Sequence, residues 1–230
     1  MGLNPSGLFI TGTDTGVGKT FLGAALTRAL RQRGVKVLVR KPVETGCTQA
    51  QEGLLPQDAY TLSRAAGDPE PLAIVCPYRF AAPVSPQRAA QLEGHPLVLE
   101  SLIKACRSAH NGFMLVEGAG GFYSPIASDA LNADLAQALG FPVLLVTSDR
   151  LGVIHQVLIT LEAIARRGLT PAGVILNQLQ KTEVMDNLQD LCRFSSVPVY
   201  PLPCLHAEEE ADLGDLLTGL QGLGLALTHE

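Results

Sequence analysis

Residues 8–20 read Leu-Phe-Ile-Thr-Gly-Thr-Asp-Thr-Gly-Val-Gly-Lys-Thr, an apolar run followed by a glycine-rich turn and a Lys-Thr pair. No other stretch constrains the fold as much. A strand that breaks into small residues and then opens a helix curls backbone N–H groups around an anion, at the positive end of the helix dipole. Lys19 is expected to reach the terminal phosphates of a nucleoside triphosphate, and the Thr20 hydroxyl to hold Mg2+. The loop Asp14, Thr15, Gly16, Val17, Gly18, Lys19 and Thr20 is therefore the expected nucleotide site.

The loop is a variant. The usual spacing puts its first glycine at position 13, where this chain has Thr13, and Gly12 stands one residue earlier. Chromosome-partition ATPases and nitrogenase iron protein carry an extra lysine near the start of such a loop. Asp14 stands there instead, which speaks against a partition-type switch.

Short β-rich runs alternate with helical stretches. Leu8–Thr11, Val35–Val39, Phe113–Val116, Val143–Thr147, Val174–Leu176 and Val197–Tyr200 read as buried strands. Lys19–Gln32, Leu97–His110, Leu131–Leu139, Val153–Arg167 and Glu183–Phe194 read as helices, with Gly34, Gly140 and Gly168 as stops. This alternation predicts an α/β fold of the phosphate-loop NTPase type, a mostly parallel sheet with helices on both faces. With 230 residues and 47% hydrophobic content, residues 1–230 are expected to form one domain. The stretch Gly46–Pro56 is expected to be a loop within it.

The net charge of −5 and the lack of a Lys/Arg cluster argue against nucleic acid as a partner. No apolar run is long enough to span a membrane, and the N-terminus lacks the charged and apolar regions of a signal peptide. Cys47, Cys76, Cys106, Cys192 and Cys204 are odd in number and show no CxxC spacing, so a reducing, cytoplasmic setting is expected. The histidines at 95, 110, 155, 206 and 229 have no ligand spacing and are expected to be structural or exposed.

Ligands gather at the carboxyl ends of parallel strands, and two strand ends here are polar. Arg40-Lys41-Pro42-Val43-Glu44-Thr45-Gly46 follows one, and Glu117-Gly118-Ala119-Gly120-Gly121 another; both are expected to flank the phosphate loop. Glu117 can face Mg2+ or its waters, and the small residues after it can offer bare N–H groups to an anion. The alternative is an acidic turn with flexible glycines. Lys41 fits a second cation for a transferred phosphoryl group, but taken alone it reads as a solvated lysine. Asp58 precedes a helical stretch and by default reads as an N-cap.

From about Leu8 to Leu205 the chain resembles the dethiobiotin synthetases of biotin biosynthesis. The likeness rests on residues 11–20 (TGTDTGVGKT), 41–47 (KPVETGC), Asp58, 77–86 (PYRFAAPVSP), 116–126 (VEGAGGFYSPI), 151–157 (LGVIHQV) and Leu176-Asn177. The resemblance implies ATP- and Mg2+-dependent joining of CO2, or bicarbonate, to diaminopelargonic acid, giving dethiobiotin, ADP and phosphate. It implies that Thr15, Lys19 and Lys41 contact the reacting carbamate and phosphates, and that Thr20, Asp58 and Glu117 bind the metal. It further implies ATP contacts by residues 14–20, Glu117, Gly118, Ala119, Gly120, Asn177 and Pro203, and a substrate contact by Thr45. Amides near Gly152, Val153 and Ile154 would hold the substrate carboxylate across the two-fold axis of a homodimer with shared active sites.

Two departures from the family stand out. Gly16 replaces an acidic residue carried by some members, and Tyr200 replaces a small residue near the nucleobase end. The competing enzyme reading is an amide-forming synthetase such as the cobyrinic or cobyric acid enzymes, which need a glutaminase domain that a chain of this length is not expected to hold.

Overall fold

Every residue of Gly7–Gly12 is buried, as the unbroken apolar run Leu8-Phe9-Ile10 requires of a strand covered on both faces. The computed structural model describes residues 7–178, 186–203 and 212–225. Among these the chain runs β1 (Gly7–Gly12), α1 (Lys19–Gln32), β2 (Val37–Arg40), β3 (Val43–Thr45), β4 (Thr48–Ala50), β5 (Gly53–Leu55), α2 (Gln57–Ala66) and α3 (Leu72–Val75). Next come β6 (Tyr78–Phe80), α4 (Pro86–Leu92), α5 (Leu99–Ala105), β7 (Phe113–Gly121), β8 (Pro125–Ala127), β9 (Ala130–Leu131) and α6 (Asn132–Leu139). The last elements are β10 (Val143–Ser148), α7 (Val153–Arg166), β11 (Pro171–Asn177), α8 (Asn187–Phe194), β12 (Val199–Leu202) and α9 (Gly214–Gly222).

Six strands form a parallel sheet in the order β12-β11-β10-β1-β7-β2. Side chains alternate across it. Leu8 and Ile10 face one core with α1, α2 and α9, while Phe9 faces the other with α5, α6 and α7. On α1, Leu22, Leu26 and Leu30 recur every four residues and are fully buried, each contributing about 2 kcal/mol of transfer free energy. Three small two-stranded sheets, β3-β6, β4-β5 and β8-β9, lie outside the main sheet.

The expected parallel α/β architecture is thus present, with shifts at element ends. The strand expected from Val35 begins at Val37, the one expected from Val197 begins at Val199, and helix Leu97–His110 contracts to Leu99–Ala105. Leu131 is the residue before α6 rather than its first, and α7 ends at Arg166. Residues 183–185 of the expected helix 183–194 lie outside the described residues, and its described part starts at Asn187. Gly46–Pro56 is not wholly a loop, because β4 and β5 pair antiparallel within it. Their three-residue, largely exposed strands carry too little periodicity to read from sequence.

Cys47, Cys76 and Cys106 are buried free thiols and Cys192 is an exposed one. His95, His110 and His155 are exposed. Cys204, His206 and His229 lie outside the described residues. Among those described, no helix is long and apolar enough to cross a membrane.

Candidate active site

The phosphate loop leaves β1 at Gly12, which pairs with Gly121 of β7 on one side and Val146 of β10 on the other. Thr13 anchors the loop to β10, its N–H donating to Val146 O (3.0 Å) and its hydroxyl bonding the Thr147 hydroxyl (2.8 Å). The displaced glycine now has a reason. A Cβ at Gly12 would lie 2.7 Å from Asp14 O and 2.8 Å from Val17 Cγ2, because the loop folds back over this residue, not over position 13. Lys19 Nζ donates to Asp14 O at 2.8 Å, inside the curl. Thr15 and Gly16 are exposed at the tip, and a Cβ at Gly16 would meet nothing.

Asn177, at the end of β11, reaches the loop as well. Its Nδ2 donates to Val17 O at 3.0 Å, and Gly18, with φ +95°, lies so close that a Cβ there would stand 2.1 Å from that nitrogen. The resemblance implies an ATP contact by Asn177; in this structure its amide braces the loop backbone. Pro203 follows β12 and is exposed.

Lys41 from the link after β2, Thr20 from α1, Asp58 from α2 and Glu117 from β7 meet at one point. Lys41 Nζ lies 2.5 Å from Glu117 Oε1, 3.1 Å from Asp58 Oδ2 and 3.3 Å from Gly118 O. The Thr20 hydroxyl donates to Glu117 Oε1 at 2.9 Å. Lys41 is therefore no solvated lysine: it is 3% exposed and Glu117 fully buried. Burial works against the Lys41 ammonium, but Glu117 and Asp58 outweigh it and hold its pKa above the ordinary lysine value. Lys19 moves the other way, pushed down to about 8 by burial and then by the charge of Lys41. Burial raises Asp58, yet Lys41 and the Thr20 hydroxyl together bring it below the ordinary carboxylate value.

Asp58 does not cap α2. Pro56 holds the N-cap position, and both Glu44 carboxylate oxygens accept from the first-turn N–H groups of Asp58 and Ala59 at 2.9 Å each. That external cap leaves the Asp58 side chain available to Lys41. Burial raises the Glu44 pKa while those two N–H groups oppose it. Glu44 escaped the sequence reading; its one signal was a carboxylate inside an otherwise apolar segment between Lys41 and Thr45. Arg40 turns to the opposite side, fully buried, and makes a bidentate pair with Glu70 at 2.6 and 2.8 Å. It is spent on structure.

Two further expectations change. Glu117–Gly121 and Arg40–Gly46 do not flank the loop on either side, since β7 and β2 both lie on the same side of β1. Nor are all the amides after Glu117 bare. Ala119 N–H donates to Asn132 Oδ1 (3.1 Å) and Gly121 N–H to Ser124 Oγ (2.9 Å), so side chains behind the segment already engage both. Thr45 is half-buried at the end of β3. At the start of α7, Gly152 is the N-cap with φ +88°, Val153 N–H is taken by Arg150 O at 3.1 Å, and Ile154 is half-buried. Arg150 Nη2 reaches back to Asp14 Oδ2 of the loop at 3.5 Å.

The donors beside the loop suit a hard cation shared with phosphate. Among the described residues no three His, Cys, Asp or Glu side chains form a metal cage. Two carboxylates and a hydroxyl do face the loop, and the buried Glu117 Oε2 has no hydrogen-bond partner among the described residues. Mg2+ prefers such a partial oxygen set, completed by substrate phosphates and water.

A parallel sheet, a glycine-bounded phosphate loop at the start of α1, and lysines and carboxylates at adjoining strand ends define an α/β protein of the phosphate-loop NTPase class. The AAA domain family matches residues 6–205. The septum site-determining protein MinD from Pyrococcus horikoshii, complexed with Mg-ADP, superimposes with a TM-score of 0.50 at 21% identity, over 94% of this chain and 85% of that one. ATP-dependent dethiobiotin synthetase BioD of Anaeromyxobacter dehalogenans is 45% identical over 75% of this chain and 76% of its own. The protein of that name from Ruthia magnifica is 45% identical over 76% of this chain and 80% of its own. The chain belongs to the ATP-dependent dethiobiotin synthetase family.

Proposed function

We propose that the chain, working as one α/β domain, closes the ureido ring of dethiobiotin from diaminopelargonic acid, CO2 and ATP. One observation carries the reading: Lys19, Lys41, Thr20, Asp58 and Glu117 converge beside the phosphate loop. One substrate amine adds to CO2 as a carbamate. The carbamate oxygen attacks the γ-phosphorus, ADP leaves, and a carbamic-phosphoric anhydride forms. The second amine then attacks the carbonyl carbon, expelling phosphate and closing the ring. Each step builds or moves negative charge, so the requirement is positioning and cationic stabilisation. Lys19 and Lys41 provide the cations, Thr15 contacts the reacting groups at the exposed loop tip, and Thr45 contacts substrate. Mg2+ held by Thr20, Asp58 and Glu117 would neutralise the phosphates when bound. Residues 14–20 and 117–120, with Asn177 and Pro203, surround the nucleotide in this reading.

The reading extends to a cytoplasmic homodimer. Leu151, 90% exposed immediately before α7, would lie against the partner's surface in such a dimer. The helix start at Gly152–Ile154 would then receive the carboxylate tail of a substrate reacting at the partner's Lys41, through its dipole and the amides of Gly152 and Ile154. Incubating the protein with diaminopelargonic acid, bicarbonate, ATP and MgCl2 should yield the mass of dethiobiotin, with one ADP per product. Folded protein giving ADP without dethiobiotin overturns the reading.

A further inference from the structure

Asn132 opens α6 and is fully buried, yet every polar atom of its side chain is engaged. Oδ1 accepts from Ala119 N–H at 3.1 Å, and Nδ2 donates to Ala119 O at 2.5 Å and to Gly121 O at 3.0 Å. A carboxamide carries an acceptor and two donors in one plane, so it can pair the N–H and C=O of one peptide residue as a neighbouring strand would. The pairing of β7 with β2 stops at Val116, and three residues later Ala119 finds this partner instead.

The fit is close and leads to the phosphate loop. A Cβ at Gly118 would lie 2.7 Å from Asn132 Oδ1, and one at Gly121 3.3 Å from Thr13 O. One at Gly120 would lie 3.7 Å from Thr15 Cγ2, and Gly121 pairs with Gly12. Gly118 O also accepts from Lys41 Nζ. A shift of this segment therefore reaches both the loop and the lysine.

We infer that Asn132 is a positioning residue for the reaction: its carboxamide fixes Gly118–Gly121 against Thr13–Thr15, and so sets the registry between the phosphate loop and Lys41. It touches no substrate itself. The inference rests on the reading of this cleft as the triphosphate site.

Asn132→Leu keeps the branched outline at a larger volume and removes all three contacts; Asn132→Asp keeps the size and shape and turns two donors into an acceptor facing carbonyls. Small misplacements at a distance from the chemistry cost up to about 100-fold, so kcat per folded molecule should fall about 30- to 100-fold in both variants. KM for diaminopelargonic acid should stay within about threefold, because its carboxylate is held elsewhere. A merely structural Asn132 would lower the melting temperature and leave kcat per folded molecule within about threefold of wild type, which overturns the inference. If neither variant folds, 15N-labelled wild-type protein decides. The Asn132 side-chain NH2 signals should shift on adding Mg2+ with a non-hydrolysable ATP analogue, and signals that stay fixed while those of the phosphate loop move overturn the inference. Lys19→Ala separates the two levels. An inactive Lys19→Ala beside a fully active Asn132→Leu removes the positioning role alone, whereas a fully active Lys19→Ala removes the triphosphate reading beneath it.

Discussion

Lys41 and Glu117 form a pair 2.5 Å apart and almost entirely removed from solvent, so an ammonium occupies the middle of the oxygen cluster suited to Mg2+. Lys41→Ala should lower kcat about 100- to 1,000-fold, the usual loss when one group stabilising developing charge is removed. It also leaves a buried carboxylate unpaired, at a cost of about 3–5 kcal/mol, so the variant should melt well below wild type and regain more stability from added Mg2+. Thermal unfolding with and without MgCl2 reads the second effect. A kcat within about threefold of wild type would sink the catalytic role.

Glu117→Gln keeps the size of the side chain and removes its charge. The Mg2+ concentration giving half-maximal turnover should rise about tenfold or more, in line with losses at groups that tune a metal site. A superimposable Mg2+ titration would return Glu117 to a structural partner of Lys41.

Gly18→Ala meets two obstacles, a left-handed backbone costing about 1–3 kcal/mol and the Asn177 amide in the path of the new methyl group. Nucleotide affinity measured by calorimetry should fall at least about tenfold, the equivalent of some 1.4 kcal/mol. Pairing the change with Asn177→Ser should recover only part of it, because the backbone strain persists. Full recovery would show that crowding alone was at fault.

Arg40 and Glu70 predict an acid-sensitive fold. The Arg40 hydrogen bonds hold Glu70 below its ordinary carboxylate pKa, despite some opposition from burial. A pKa depressed on folding contributes stability that is complete above the unfolded value and lost as pH falls through the folded one. Wild type should therefore lose stability below about pH 4.5 more steeply than Glu70→Gln in urea titrations. At neutral pH, Glu70→Leu should cost about 3–5 kcal/mol by stranding a fully buried guanidinium, and Arg40→Met added to it should recover most of the loss. Parallel slopes for wild type and Glu70→Gln would refute the pH argument.

Gly152→Pro cannot keep the observed φ of +88° and should disturb the start of α7. KM for diaminopelargonic acid should rise at least about tenfold while KM for ATP changes little, the pattern of a lost substrate-binding contact. Mixed with Lys41→Ala protein, it should regain activity through hybrid dimers holding one intact site. Full activity of a monomer, measured by scattering at assay concentration, would refute the shared site.

The sheet and the loop were legible in the sequence because buried parallel strands are continuous apolar runs and glycines punctuate the turns. Lys19–Gln32 is recovered to the residue. The site was legible only as a list of polar strand ends. That Lys41 and Glu117 touch depends on the order of β2 and β7 in the sheet, and no local pattern encodes that order. The supporting contacts were less visible still. Glu44 and Asn132 act on backbone groups 11 to 15 residues away along the chain, and Asn177 on one 160 residues away, so their partners exist only after folding.

The small sheets β3-β6 and β4-β5 hang outside the main sheet, beyond the strand that delivers Lys41. Lys19, Thr20 and Glu117 are anchored in a rigid frame of sheet and α1, and α2 with Asp58 packs into the same core, whereas β4 and β5 are short, exposed or half-buried pieces with their own pairing. A lineage or an engineer could reshape the β4-β5 hairpin and leave the triphosphate machinery, Asp58 on α2 included, untouched.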